Sequence, residues 1–128
     1  MTRLVPPATA SSEQVADATT VVTLDGDFDL ANVAATRHRL TDMLAVTGHD
    51  VIVDLRGVTF ADSTLLSTLI AALRRAEAHR RQVVLIRPNE HVWKAFSITG
   101  VDKVFTGFAN LAQARTYLAA TRGHAITS

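Results

Sequence analysis

Residues 51–66 read Val51-Ile52-Val53-Asp54-Leu55-Arg56-Gly57-Val58-Thr59-Phe60-Ala61-Asp62-Ser63-Thr64-Leu65-Leu66. The first five are apolar except for Asp54 near the end, which is the pattern of a strand buried on both faces. Behind them Leu65, Leu66, Leu69, Ile70, Leu73 and Ala76 recur at helical spacing, while Arg74, Arg75, Glu77, Arg80 and Arg81 fall largely on the opposite side. That is an amphipathic helix with one stripe turned to a core and a solvated basic face. Val83-Val84-Leu85-Ile86 then forms a second buried strand, closed by Pro88. Two such strands separated by a helix of this length require a crossover connection, so they lie parallel with helices covering the sheet.

Outward from this unit the same alternation continues. Upstream, Val21-Val22-Thr23-Leu24 is β-rich and meets a turn signal at Asp25-Gly26. A weaker strand precedes it around residues 13–16. Val33, Arg37, Leu40 and Leu44 have helical spacing, with Asp29 as candidate N-cap and Gly48 as stop. Downstream, Val92, Ala95, Phe96 and Thr99 predict a short helix ending at Gly100. Val104-Phe105 predicts a short strand, and Leu111, Ala114 and Leu118 predict the last helix. The expected fold class is α/β: a mixed, mostly parallel sheet of four to five strands with about four helices. Residues 1–12, with Pro6-Pro7 and a Thr/Ala/Ser string, are expected to be a disordered tail, 13–122 the folded domain and 123–128 a C-terminal tail.

Composition narrows the function classes. The 128 residues are 48% hydrophobic, enough for a single core, and include no cysteine, so disulfides, thiolate metal sites and cysteine nucleophiles are excluded. A formal net charge of +1 supplies no global field for nucleic acid or an anionic membrane. The longest apolar run, Leu69 to Leu73, is far short of the about 20 residues that span a bilayer, and the start shows no secretory pattern. The expected location is the cytoplasm. No Gly-x-Ser-x-Gly elbow or phosphate-cradling glycine loop is present, and His38, His49, His79, His91 and His124 lack metal-ligand spacing, so no cofactor or metal is expected. The Arg74-Arg75 and Arg80-Arg81 pairs have no interleaved aromatics of the kind single-stranded nucleic acid requires. Trp93, next to core-phase Val92, reads as partly buried packing.

Two segments offer polar groups beyond the needs of a core. Gly26-Asp27-Phe28-Asp29 lies between a strand and a helix, where a glycine turn and an Asp29 cap account for it. Thr59-Phe60-Ala61-Asp62-Ser63-Thr64-Leu65 opens the second helix, where Asp62 or Ser63 can cap the free N–H groups of the first turn. Capping explains both, and leaves the exposed carboxylates and hydroxyls available for other work.

Taken together these residues resemble a known family. Leu24-Asp25-Gly26-Asp27-Phe28-Asp29 is similar to its G-E-hydrophobic-D turn. Val53-Asp54-Leu55-Arg56-Gly57-Val58-Thr59-Phe60-Ala61-Asp62-Ser63-Thr64 resembles its D-L-x-x-hydrophobic-x-F-hydrophobic-D-S-S-G-L segment. Leu85-Ile86-Arg87-Pro88 and Ile98-Thr99-Gly100-Val101-Asp102-Lys103-Val104-Phe105 follow in the expected order. The family is the STAS domain of anti-sigma-factor antagonists, and the likeness covers about residues 21–120. It implies that Ser63 is the phospho-acceptor of a partner anti-sigma factor, a serine kinase of the histidine-kinase-like ATPase fold. It further implies a partner surface of Asp27, Asp29, Asp62, Ser63, Thr64 and Leu65, on a monomer or weak dimer that is not an enzyme. Two positions depart from the pattern: Thr64 stands for the second serine and Leu65 for the glycine, where a leucine narrows the approach to Ser63.

Other readings fit less well. Asp27, Asp29 and Asp54 resemble the acid cluster of a phospho-aspartate receiver, but Asp54 lies inside its strand and Lys103 precedes the last one. The nearest rival is a STAS module that docks without a phosphate switch, as a stressosome-like scaffold or an accessory subunit of a lipid-transport ATPase.

Overall fold

The computed structural model describes residues 9–16, 18–28, 42 and 49–127. Five strands, β1 (Thr9–Ala16), β2 (Thr19–Phe28), β3 (Asp50–Ala61), β4 (Val83–Ile86) and β5 (Gly107–Phe108), form one sheet in the order β1-β2-β3-β4-β5. β1 is antiparallel to β2 and every other pair is parallel. Three α-helices lie among the described residues: α1 (Ser63–Ala78), α2 (Glu90–Thr99) and α3 (Leu111–Thr127). The expected helix over Val33 to Leu44, with Asp29 at its start and Gly48 at its end, lies outside the described residues.

The strand period sorts side chains between two cores. Val22 and Leu24 of β2, Val51, Val53 and Leu55 of β3, and Val83 and Leu85 of β4 pack with Leu65, Leu66 and Leu69 of α1 and with Val92 and Phe96 of α2. The alternate residues Val21, Ile52, Val84 and Ile86 pack on the opposite face with Ala114 and Leu118 of α3. β3 and β4 are therefore covered on both sides, which is why their sequences are apolar runs rather than alternations. The α1 stripe is buried as its spacing predicts, while Arg74, Arg75 and Arg80 are exposed. Trp93 is half-buried, its ring stacked on Phe96 at 5.1 Å.

Several boundaries differ from the sequence expectation. β1 starts at Thr9, so residues 9–12 are strand and not tail; a polar string satisfies its backbone by pairing with β2, Thr9 opposite Asp25 to Ser12 opposite Val22. α3 continues to Thr127, so residues 123–127 are helical rather than a tail. Val104-Phe105 is not a strand: the Val104 and Phe105 amides donate to the Val101 carbonyl at 3.0 and 3.3 Å, coiling a 3₁₀ turn over Val101–Lys103. Pairing with β4 begins only at Gly107.

The largest difference is the length of β2 and β3. Asp25-Gly26 does not end β2. Gly26 adopts φ +97° inside the strand, where the register with β3 slips by one residue between Gly26 and Asp27. A glycine at positive φ lets β2 bend and keep pairing across the extra residue that β3 inserts opposite it. Gly26→Ala is expected to cost about 1–2 kcal/mol, read as a lower urea midpoint; an unchanged midpoint would mean the bulge is not held there.

Candidate functional site

β3 outruns β4. Their pairing ends at Asp54 opposite Ile86, yet β3 runs on to Ala61, paired to β2 alone. Two register slips each insert one extra residue in β3, the first between Asp54 and Gly57, the second between Val58 and Phe60. Its core positions are consequently Val51, Val53, Leu55, Val58 and Ala61. The protruding β2–β3 tip carries the candidate site to the carboxyl end of the sheet, the usual place for function in parallel sheets.

At that tip α1 begins. Asp62 is its N-cap, with extended backbone (φ −104°, ψ −176°) and a carboxylate that accepts from the Thr64 amide at 2.9 Å. The Asp62 amide donates to the Phe28 carbonyl at 3.1 Å, which fastens the start of α1 to the end of β2. Ser63, the first helical residue, is exposed. Thr64 is half-buried and its carbonyl accepts from the Thr68 hydroxyl at 2.8 Å. Asp27, half-buried, accepts a hydrogen bond from the Thr59 hydroxyl across the β2–β3 pair. Asp27, Asp62, Ser63 and Thr64 are thus brought to one end of the fold. Asp29 lies outside the described residues.

Leu65 does not belong to this surface. It is 0% exposed, in the core with Leu69 and Phe28. One residue per 100° of helix turns it inward when Ser63 faces out, so it offers a partner no contact area and its side chain does not overhang Ser63. Sequence reasoning also missed Phe60, 47% exposed at the tip although aromatic. It pairs with Asp27, and both turn away from the buried pair Phe28 and Ala61. The family-like segment marks it as an aromatic but not as an exposed one: it lies in the same phase as Ile52, but beyond the Ala114 and Leu118 cover that buries Ile52.

Where β3 leaves β4, Asp54 and Arg56 form a fixed pair. Arg56 donates through Nε to Oδ1 at 3.0 Å and through Nη2 to Oδ2 at 2.8 Å, and its backbone amide adds a third bond at 3.0 Å. Burial pushes the Asp54 carboxyl up, but these bonds and the guanidinium charge outweigh it and hold the carboxyl below its ordinary value. Its folded value being depressed, the pair's contribution is complete above the unfolded carboxylate range, about pH 4. It is lost as pH falls through the lower folded value. Arg56→Met is expected to lower stability by about 1–2 kcal/mol at neutral pH, since the guanidinium is half exposed. In urea titrations the gap to the unsubstituted chain closes in acid; a gap independent of pH would show that charge is not its origin.

Among the described residues no group of three or more His, Asp or Glu is placed to hold a metal, and no helix is long and apolar enough to cross a membrane. His79 Nδ1 bonds the Arg75 carbonyl at 2.9 Å as part of the α1 C-terminus, and His49 Nδ1 bonds the Thr20 hydroxyl at 2.9 Å.

Among the described residues, the five-stranded mixed sheet thus carries a capped helix start and an acidic strand tip at one end. The chain belongs to the STAS-domain family: the family model described as Mlab, STAS domain, matches residues 11–111. The anti-sigma-B factor antagonist of Staphylococcus epidermidis is 28% identical over 80 residues, 62% of this chain and 74% of the relative. Among solved structures, the anti-sigma factor antagonist SpoIIAA in its unphosphorylated form aligns with a TM-score of 0.73 at 21% identity, over 88% of this chain and 97% of that one. Bacillus SpoIIAA in its phosphorylated form aligns with a TM-score of 0.64 at 21% identity, over 85% and 98%. At such identities the structural likeness is one of fold.

Proposed function

We propose that this chain is an anti-sigma factor antagonist: unphosphorylated, it binds and sequesters an anti-sigma factor, a serine kinase of the histidine-kinase-like ATPase fold, and phosphorylation of Ser63 ends that binding. It acts in the cytoplasm, as a monomer or weak dimer, as a substrate of the kinase and not as a catalyst. The observation that carries the reading is Ser63, exposed at the first position of a 16-residue helix next to its Asp62 cap, at the end of the sheet that also carries Asp27. The similarity to an anti-sigma-B factor antagonist supports the partner class.

The electrostatics of a switch follow from that placement. The amide groups and dipole of a helix start favour an anion, so a phosphate on Ser63 leaves the scaffold standing. At an interface it acts differently, adding about −1.5 to −2 charges to an acidic lip. A unit-charge contact at about 4 Å is worth on the order of 4 kcal/mol at intermediate dielectric, and less at a wet rim. A loss of 2–3 kcal/mol is enough to release a partner, being roughly 30- to 150-fold in affinity.

A second reading is favoured by the Mlab description of the matched family model: a STAS module that docks without a phosphate switch, as a stressosome-like scaffold or an accessory subunit of a lipid-transport ATPase. Incubation with the ATPase-fold kinases of the same genome and ATP, followed by mass spectrometry of the Ser63 peptide, separates the two. Stoichiometric phosphate on Ser63 supports the switch. An unmodified peptide with every kinase favours the static module.

A further inference from the structure

We infer that Phe60 is the anchor of the docking surface, and that the partner receives it in an apolar socket rimmed by arginine or lysine. The inference rests on the anti-sigma factor reading and adds to it the contact that supplies affinity. Phe60 is 47% exposed, on a segment of β3 that pairs with β2 alone. On its face of the sheet the outward residues of β2 are Asp25, exposed, and Asp27, which stands opposite Phe60. Asp62, at the α1 cap, follows two residues after Phe60. The one arginine of the β3 extension, Arg56, is already engaged by Asp54. Among the described residues of this tip, the charged side chains other than Arg56 are therefore carboxylates.

This combination selects the partner's chemistry. A phenyl group held on a paired strand just past the second register slip loses little freedom on docking, and a desolvated aromatic is the usual centre of an interface hot spot. Carboxylates around it steer a basic surface toward it and penalise an acidic one. A second copy of this chain would bring the same acidic rim to the contact, so self-association through this tip is opposed by like charge. The position also explains how the two parts divide the work. Phe60 supplies affinity, and Ser63, three residues on, controls whether the tip can approach.

The test uses the full chain and the individually purified ATPase-fold serine kinases of its genome, titrated by calorimetry. Phe60→Ser is expected to weaken binding to the kinase at least about 30-fold, the scale of a hot-spot loss. Phe60→Leu is expected to retain most of the affinity, and far-ultraviolet circular dichroism of both to match the unsubstituted chain. Added salt and Asp27→Asn are each expected to slow association. Phe60→Ser binding within twofold of the unsubstituted chain overturns the anchor while leaving the Ser63 switch standing. Loss of binding by Phe60→Ser together with full binding by Ser63→Asp supports the anchor and removes the switch. Failure of every kinase to bind overturns both, whereas a dimer of the unsubstituted chain that Phe60→Ser alone dissolves overturns the anchor, because the occupant is then a second copy.

Discussion

Ser63→Asp is expected to lower affinity for the anti-sigma kinase roughly 30- to 150-fold while leaving the thermal midpoint unchanged or slightly raised. The two effects separate because the same charge meets two environments. Within the chain it sits at the first position of α1, whose cap Asp62 already directs its carboxylate to the Thr64 amide, and a further anion there is favourable by a few tenths of a kcal/mol. Against a partner it adds to Asp62 and to the Asp27 end of the sheet on a surface that must be desolvated, where like charge is costly. Ser63→Ala, which removes the acceptor and adds no charge, is expected to bind as tightly as the unsubstituted chain and to resist release by kinase and ATP. Pull-down by immobilised kinase reads both variants. Retention of Ser63→Asp at the level of the unsubstituted chain would falsify the switch.

Leu65→Gly is expected to destabilise the domain by about 3–5 kcal/mol, enough to consume much of the stability of a domain this size. The substitution restores the glycine that the resembled family carries at this position, and sequence comparison alone would class it as a repair. The packing argues the reverse. Leu65 is completely buried among Phe28, Leu55 and Leu69. Removing its side chain leaves a cavity in a core held from both sides by the sheet and α1, and glycine in the first turn of the helix adds a backbone cost. Because the leucine faces inward, Ser63 gains no accessibility in return, so the rate of Ser63 phosphorylation per folded molecule is expected to stay the same. Urea denaturation and a kinase assay on the folded fraction check the two halves. A stable, faster-phosphorylated variant would place Leu65 at the surface after all.

The contrast between these adjacent positions shows where sequence reasoning holds. Asp62 reads as a cap because its residue type, its place before an apolar stripe and the missing amide partners of a helix start all agree, and the Thr64 amide is bonded to it as that logic requires. Ser63 follows as exposed because the stripe through Leu66, Leu69 and Leu73 fixes the buried side of α1. The failures lie where neighbouring elements compete. Asp25-Gly26 has the composition of a turn, but β3 was available to pair with it, and the glycine bends β2 to follow the bulge that β3 makes there. Residues 9–12 have no apolar period, yet β2 offered an open edge and β1 formed along it.

What the sequence by itself determined is the kind and order of elements around the site. Runs such as Val51 to Leu55 and Val83 to Ile86 can be satisfied only by strands covered on both faces, and their spacing dictates crossovers and a parallel sheet. The local signals for the α1 cap are equally self-sufficient. Only the tertiary structure decided which side chains the tip displays. Phe60 is outside because β3 extends past the reach of α3. Val58 is inside because a register slip moved it there, and Arg56 is tied down because Asp54 stands at the point where β4 stops. The physical reason is that periodicity reports the local geometry of one segment, whereas exposure depends on where its neighbours end.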